Sequence, residues 1–145
     1  MGPEVVVLDD RLLIEELLVG SLGPGAELHT TTYWYYRACR AAVLGAGGHL
    51  SGPFAQVGTQ DQGRAILSLL ELRDDLALPD PRLTVPAMAR LAGRYPSLNL
   101  LNLEAVVVGQ LLAATLWLSP GTTAGVLPGV LDAEGVDWRT VTVPR

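Results

Sequence analysis

Three carboxylates, Asp9, Asp10 and Glu104, stand where an acidic side chain is hardest to explain as surface decoration. Asp9 directly follows the apolar run Val5-Val6-Val7-Leu8. A carboxylate at the end of a buried strand is held rigidly, and sites in open parallel sheets gather beyond the carboxyl ends of the strands. The same residue can simply cap the helix that follows, as Asp does well. Glu104 lies in an apolar helical stretch and shares a face with Leu100, Val107, Val108 and Leu111. An ionised carboxylate there needs a cation, a set of hydrogen-bond donors or a metal, or else it faces a cleft. The plainer alternative is that Glu104 reaches solvent or an arginine such as Arg94.

A second chemistry-bearing segment is Thr30-Thr31-Thr32-Tyr33-Trp34-Tyr35-Tyr36-Arg37. Tyr33, Trp34 and Tyr36 beside Arg37 could stack bases and touch phosphate, as single-strand binders do. Aromatics at this spacing more often fill a core or an oligomer interface. Residues 43–49, Val-Leu-Gly-Ala-Gly-Gly-His, superficially resemble a dinucleotide fingerprint. The context fails: a helix precedes them instead of a strand, Ser51-Gly52-Pro53 stands where a helix should begin, and Leu50 replaces the third glycine. His49 is then a loop residue, His29 a strand-end residue, and Cys39, among alanines, a small buried one.

Composition narrows the possibilities. The 145 residues fit a single domain, 1–145, and 49% hydrophobic against 17% charged residues exclude an intrinsically disordered chain. One cysteine and two histidines exclude a disulfide framework, a multi-cysteine zinc site and a histidine-based metal cluster. The net charge is -5 and all ten basic residues are arginine, so any polyanion contact must be short and local. The start, Met1-Gly2-Pro3-Glu4, carries no basic region of the signal-peptide kind. The uncharged stretches 41–60 and 105–131 are broken by Gly and Pro before reaching the roughly 20 residues a spanning helix needs. No membrane span and a cytoplasmic location are therefore expected.

The elements that must position these groups follow from periodicity. Residues 4–8 read as a central parallel strand, apolar on both faces. Residues 11–19 read as a helix with Leu12, Leu13, Leu17 and Leu18 on one stripe, Glu15 and Glu16 on the wet side, and Gly20 closing it. A short strand is expected at 26–30, then a helix at 33–44 capped by Thr31 or Thr32. A loop is expected at 45–53, a helix at 61–72 and an irregular stretch at 74–82. Pro86 suits the first turn of a helix reaching Arg94. A helix apolar almost all round, 100–114, is expected to be centrally buried, followed by a strand at 115–118, a loop at 120–129 with room for one helical turn, and a last strand at 138–143. Strands alternating with helices imply an α/β three-layer sandwich with a mostly parallel central sheet.

With these residues in view, the chain resembles the PIN-domain family, especially its VapC-like toxin branch. Val-Val-Val-Leu-Asp9 looks like the family's opening strand with its first metal-binding aspartate. The run from Leu100 through Glu104-Ala105 to Leu118 looks like the helix bearing another metal acid and the strand after it. The stretch from Leu78-Pro79-Asp80 to Pro86-Ala87-Met88 looks like the segment that precedes that helix. The likeness spans nearly the whole length.

The resemblance implies a metal-dependent ribonuclease acting on single-stranded RNA, with Asp9 and Glu104 as catalytic acids and Mg2+ or Mn2+ held by Asp9, Glu104 and Asp10. Such a metal activates water for in-line attack on a phosphodiester. It also implies a homodimer and an antitoxin-like protein partner. The chain departs from the family pattern at two acids. Residues 35–37 offer Tyr and Arg where one is expected, and Ser119-Pro120-Gly121 stands where the last is expected. Asp10 replaces the hydroxyl residue usual after the first aspartate and could partly compensate. If Arg37 enters the pocket, its guanidinium could neutralise Asp9 and Glu104 in place of a metal. That alternative makes the chain a catalytically inactive PIN-like binding or regulatory module, acting through the aromatic helix. A nucleotide-binding α/β domain is a third possibility.

Overall fold

The computed structural model describes residues 2–20, 22, 24–44 and 59–142. Val5–Leu8 (β1) is the first and central strand, and Val6, Val7 and Leu8 are fully buried, as a run apolar on both faces requires. Asp10–Val19 (α1) follows, closed by Gly20 at a φ of 73°, where glycine carries no Cβ penalty. Glu27–Thr30 (β2) leads into Thr32–Leu44 (α2), and Thr59–Leu70 (α3) into the two-residue strand Leu76–Ala77 (β3). Pro81–Arg94 (α4) and Leu100–Leu112 (α5) form a helical pair ahead of Thr115–Leu118 (β4). Pro120–Thr123 (α6), Leu127–Ala133 (α7) and Trp138–Thr140 (β5) complete the described chain.

The strands form one five-stranded sheet in the order β3-β2-β1-β4-β5, with every pairing parallel. Because strand side chains alternate, the sheet has two covered faces. Val7, Leu116 and Leu118 face α4, α5 and α7. Val6, Leu8, Leu28, Leu76 and Trp117 face α1, α2 and α3. This is the three-layer α/β sandwich expected from the sequence. The chain runs outward from β1 to β3 and then returns to the other side of β1 at β4. The carboxyl ends of β1 and β4 therefore flank a topological switch point, where open parallel sheets leave a crevice.

α5 is buried from Leu103 to Gly109, in keeping with its nearly uniform apolar surface. Gly109 is the point of closest approach: a Cβ there would lie 2.6 Å from Val136 Cγ1 and 2.8 Å from Leu116 Cδ1.

Several elements differ from the sequence expectation. α4 begins at Pro81, five residues before Pro86, because Asp80 caps it by accepting from the Arg82 amide at 2.9 Å. Pro86 then lies inside the helix on its exposed side, where the carbonyl it leaves unpaired faces water. β3 falls in the stretch expected to be irregular. α7 falls largely beyond the expected loop at 120–129: its Pro and Gly resemble turn residues, yet Pro128 fits a first helical turn, and Leu127 and Leu131 are buried four apart. β5 is shorter than expected. Glu15 and Glu16 are buried, not on the wet side; Glu16 accepts from the Leu22 amide and pairs with Arg73 at 3.1 Å. The expected loop at 45–53, with the Gly-rich run and His49, lies outside the described residues. No helix among the described residues is long and apolar enough to cross a membrane.

Candidate functional site

Asp9 sits at the switch point and is fully buried. Its Oδ1 accepts from the Leu12 amide at 2.9 Å and so caps α1. Its Oδ2 accepts three bonds: the Ser119 amide at 2.7 Å, the Ser119 hydroxyl at 2.7 Å and the Thr122 hydroxyl at 2.6 Å. The four donors crowd Oδ2 with three and leave Oδ1 with one, so both oxygens are engaged by the protein. Ser119 directly follows β4, so Asp9 ties the ends of the two strands that flank the crevice. The consequence is visible in α6: Ser119 occupies its N-cap position but makes no side-chain cap bond, because its hydroxyl is turned to Asp9.

Glu104 is 2% exposed and reaches the same rim of the sheet. Its Oε1 accepts from the Tyr33 amide at 2.8 Å and its Oε2 from the Thr32 amide at 3.0 Å. The Thr31 hydroxyl accepts from the Trp34 amide at 3.1 Å, and the Tyr35 amide donates to the Thr31 carbonyl at 2.9 Å. The first amides of α2 are thereby all satisfied, and the carboxylate charge sits on the positive end of the helix. Glu104 reaches neither solvent nor Arg94, which pairs instead with Glu134 at 2.6 Å.

Asp10 is half-buried, and its carboxyl is raised above its ordinary value of 3.8. Burial is the main cause and repulsion from Asp9 the next, opposed by Arg37. Arg37 Nε pairs with Asp10 Oδ2 at 3.2 Å, so its guanidinium serves neither Asp9 nor Glu104. This corrects the expectation that Arg37 neutralises those two acids.

Trp34 is 1% exposed and packs in the core, which removes it as an exposed contact for RNA or a partner. Tyr33 packs partly buried against the same cluster, and Tyr35 donates its hydroxyl to the Leu69 carbonyl at 2.7 Å. Of the aromatic segment, Tyr36 alone is an exposed ring, at 61%.

The crevice itself is an open cleft of about 680 Å3. Its polar lining includes Asp10, Arg11, Arg37, Asn99, Asn102, Ser119, Thr122 and Thr142. Asn99 and Asn102 are placed by the start of α5, where Asn99 Oδ1 accepts from the Asn102 amide at 2.9 Å. The sequence draws attention to a missing acid at 119–121 and away from Ser119 and Thr122. Two hydroxyls three apart, directly after a buried strand, are the available signal for them.

A divalent cation does not fit this donor set. Among the described residues no three His, Cys, Asp or Glu side chains form a group that could hold a metal, and the expected trio of Asp9, Asp10 and Glu104 is not such a group. Both oxygens of Asp9 and both of Glu104 already accept from protein donors, and Asp10 faces a guanidinium. Mg2+ and Mn2+ require free oxygen ligands in near-octahedral array.

The chain superposes on a chain in the structure of VapBC-1 from nontypeable Haemophilus influenzae with a TM-score of 0.54 and 15% identity, over 94% of this chain and 97% of that one. No protein-family model matches the sequence, and no curated protein matches it. The structural likeness is one of fold: the parallel α/β sandwich is PIN-like, as the sequence resemblance implied.

Proposed function

We propose that this chain is a PIN-like domain of the toxin–antitoxin kind that works by binding, its acidic site having become a structural hydrogen-bond network. One observation carries this reading: four protein donors hold the buried Asp9 carboxylate, three on Oδ2 and one on Oδ1, so that both oxygens are engaged by the protein. Metal-dependent cleavage of single-stranded RNA by Asp9 and Glu104 would have a cation compete with the amides and hydroxyls that already hold both carboxylates. The exposed apolar surface supports a partner-binding role. Tyr36, Val43 and Leu44 on α2 and Leu67 and Leu70 on the adjacent α3 are each about half or more exposed. The occupant of that surface is proposed to be a second copy of the chain or an antitoxin-like protein, in the cytoplasm.

The test pairs two assays. With Mn2+ or Mg2+ in excess, no single-stranded RNA is expected to be cleaved, and the melting temperature is expected to match that in EDTA. Metal-dependent cleavage lost in Asp9→Asn would overturn the proposal. Sedimentation velocity of the parent is expected to show a dimer or a complex that Tyr36→Arg dissociates. A profile unaltered by Tyr36→Arg would remove the α2 surface as the interface.

A further inference from the structure

Arg11 carries a feature unexplained by the network around Asp9. It lines the switch-point cleft, and its Nε is buried without a hydrogen-bond partner among the described residues. An orphaned buried donor on a guanidinium is costly, and the cost is removed by an acceptor delivered from the cleft. Arg37 lines the same cleft, and its pairing with Asp10 is made through Nε, which leaves the terminal nitrogens without a hydrogen bond among the described residues. Two guanidinium groups and the carboxamides of Asn99 and Asn102 make the lining rich in donors, and guanidinium forks match phosphate geometry.

The acceptors in the cleft are as specific as the donors. Ser119 and Thr122 direct their hydroxyl protons to Asp9, so each presents lone pairs only. Asp10 is the charged acceptor in the lining, beside the carboxamide oxygens of Asn99 and Asn102 and the Thr142 hydroxyl. These groups suit the hydroxyls of a sugar and repel a second anion. Apolar lining comes from Leu101, Val126 and Leu127. The volume, about 680 Å3, lies within the range of roughly 300–1,000 Å3 usual for small-ligand sites.

From this arrangement we infer that the cleft is a metal-independent receptor for a phosphomonoester of nucleotide size, with Arg11 and Arg37 on the phosphate and the hydroxyl acceptors on the sugar. The inference deepens the proposal that no divalent cation enters this site, and it rests on that proposal. It involves no covalent step.

Calorimetric titration of the full chain in EDTA with adenosine 5′-monophosphate, inorganic phosphate and adenosine tests it. The monophosphate is expected to bind most tightly, phosphate more weakly, and adenosine at least tenfold more weakly than the monophosphate. Arg11→Gln is expected to weaken the monophosphate at least tenfold. Arg37→Gln, at a side chain 58% exposed, is expected to weaken it several-fold. Arg90→Gln, an exposed position outside the cleft, is expected to bind as the parent does. Equal affinity for adenosine and its monophosphate, or equal losses in Arg90→Gln and Arg37→Gln, would overturn the inference. Absence of binding both with and without metal would overturn it while leaving the binding-module proposal intact. Binding that appears only when Mn2+ is added would overturn both.

Discussion

Replacing Asp9 by Asn separates a structural carboxylate from a metal ligand by the sign of its effect on stability. Asn keeps the shape but exchanges one acceptor oxygen for an NH2 group. If its oxygen stays with Ser119 and Thr122, the NH2 faces the Leu12 amide and the α1 cap is lost. If its oxygen stays with Leu12, the NH2 faces the Ser119 amide, although both hydroxyls can rotate to accept. Either way one buried backbone N–H loses its acceptor, a cost of about 1–3 kcal/mol. The surviving bonds also weaken from charge-assisted to neutral, about 1 kcal/mol each. Relief of repulsion on Asp10 offsets part of this. With one to three such bonds surviving, the destabilisation before that offset is roughly 2–6 kcal/mol, equivalent to a melting temperature lower by roughly 6–18 °C for a domain of this length. Urea unfolding in EDTA, followed by tryptophan fluorescence, is expected to show a lower midpoint with an unchanged slope. A carboxylate kept for a cation behaves in the opposite way, because neutralising it in the metal-free protein removes repulsion and strain. An Asp9→Asn variant as stable as the parent, or more stable, would refute the reasoning.

Three further perturbations follow. Glu104→Gln leaves one of the Thr32 and Tyr33 amides without an acceptor and removes a charge from the helix terminus; a loss of about 2 kcal/mol in urea unfolding is expected, with faster amide exchange at the start of α2, and unchanged exchange there would count against the capping role. Because the native Asp10 carboxyl lies above 3.8, its ionised form costs stability at neutral pH, and that cost disappears as pH falls through the native value toward 3.8; Asp10→Asn is therefore expected to melt higher than the parent at pH 7, with the difference vanishing below 3.8, and a lower melting temperature at pH 7 would show that the Arg37 pairing outweighs burial. Glu134 is held below its ordinary 4.5 chiefly by the Tyr95 hydroxyl, with burial opposing and Arg94 and Gln110 assisting, so its stabilisation is present above 4.5 and is lost as pH falls through the native value; the melting difference between parent and Tyr95→Phe is expected to narrow over that window, and a pH-independent difference would contradict the assignment.

The elements with a clear hydrophobic period were legible in the sequence: β1, α1, α5 and β4 lie within a residue or two of their expected bounds, and Gly20 closes α1 as expected. The helices misjudged carry Pro or Gly, whereas β3 and β5 are too short for a hydrophobic period to mark. Pro81, Pro86 and Pro128 all sit inside helices, two of them in first turns where the missing amide costs nothing, and turn chemistry alone could not distinguish these from loops. At the site, the placement of Asp9 after a buried strand and of Glu104 on a buried helix was legible because apolar neighbours define both. Of what each carboxylate touches, only the α1 cap made by Asp9 was legible. The other partners are backbone amides and hydroxyls some 70 to 110 residues distant, and every residue has an amide, so such partners leave no mark in residue type. Arg37 illustrates the same limit: its charge was visible, but its choice of Asp10 over Asp9 depends on how α2 is rotated against α1.

The central claim is that both oxygens of Asp9 are held by Leu12, Ser119 and Thr122 and not by a cation. Crystals grown or soaked in MnCl2, with diffraction recorded at the manganese absorption edge, test it most directly. The account predicts no anomalous peak within bonding distance of Asp9 or Glu104, and the Ser119 and Thr122 hydroxyls still on Asp9 Oδ2. A manganese peak coordinated by Asp9, with those hydroxyls turned away, would contradict it.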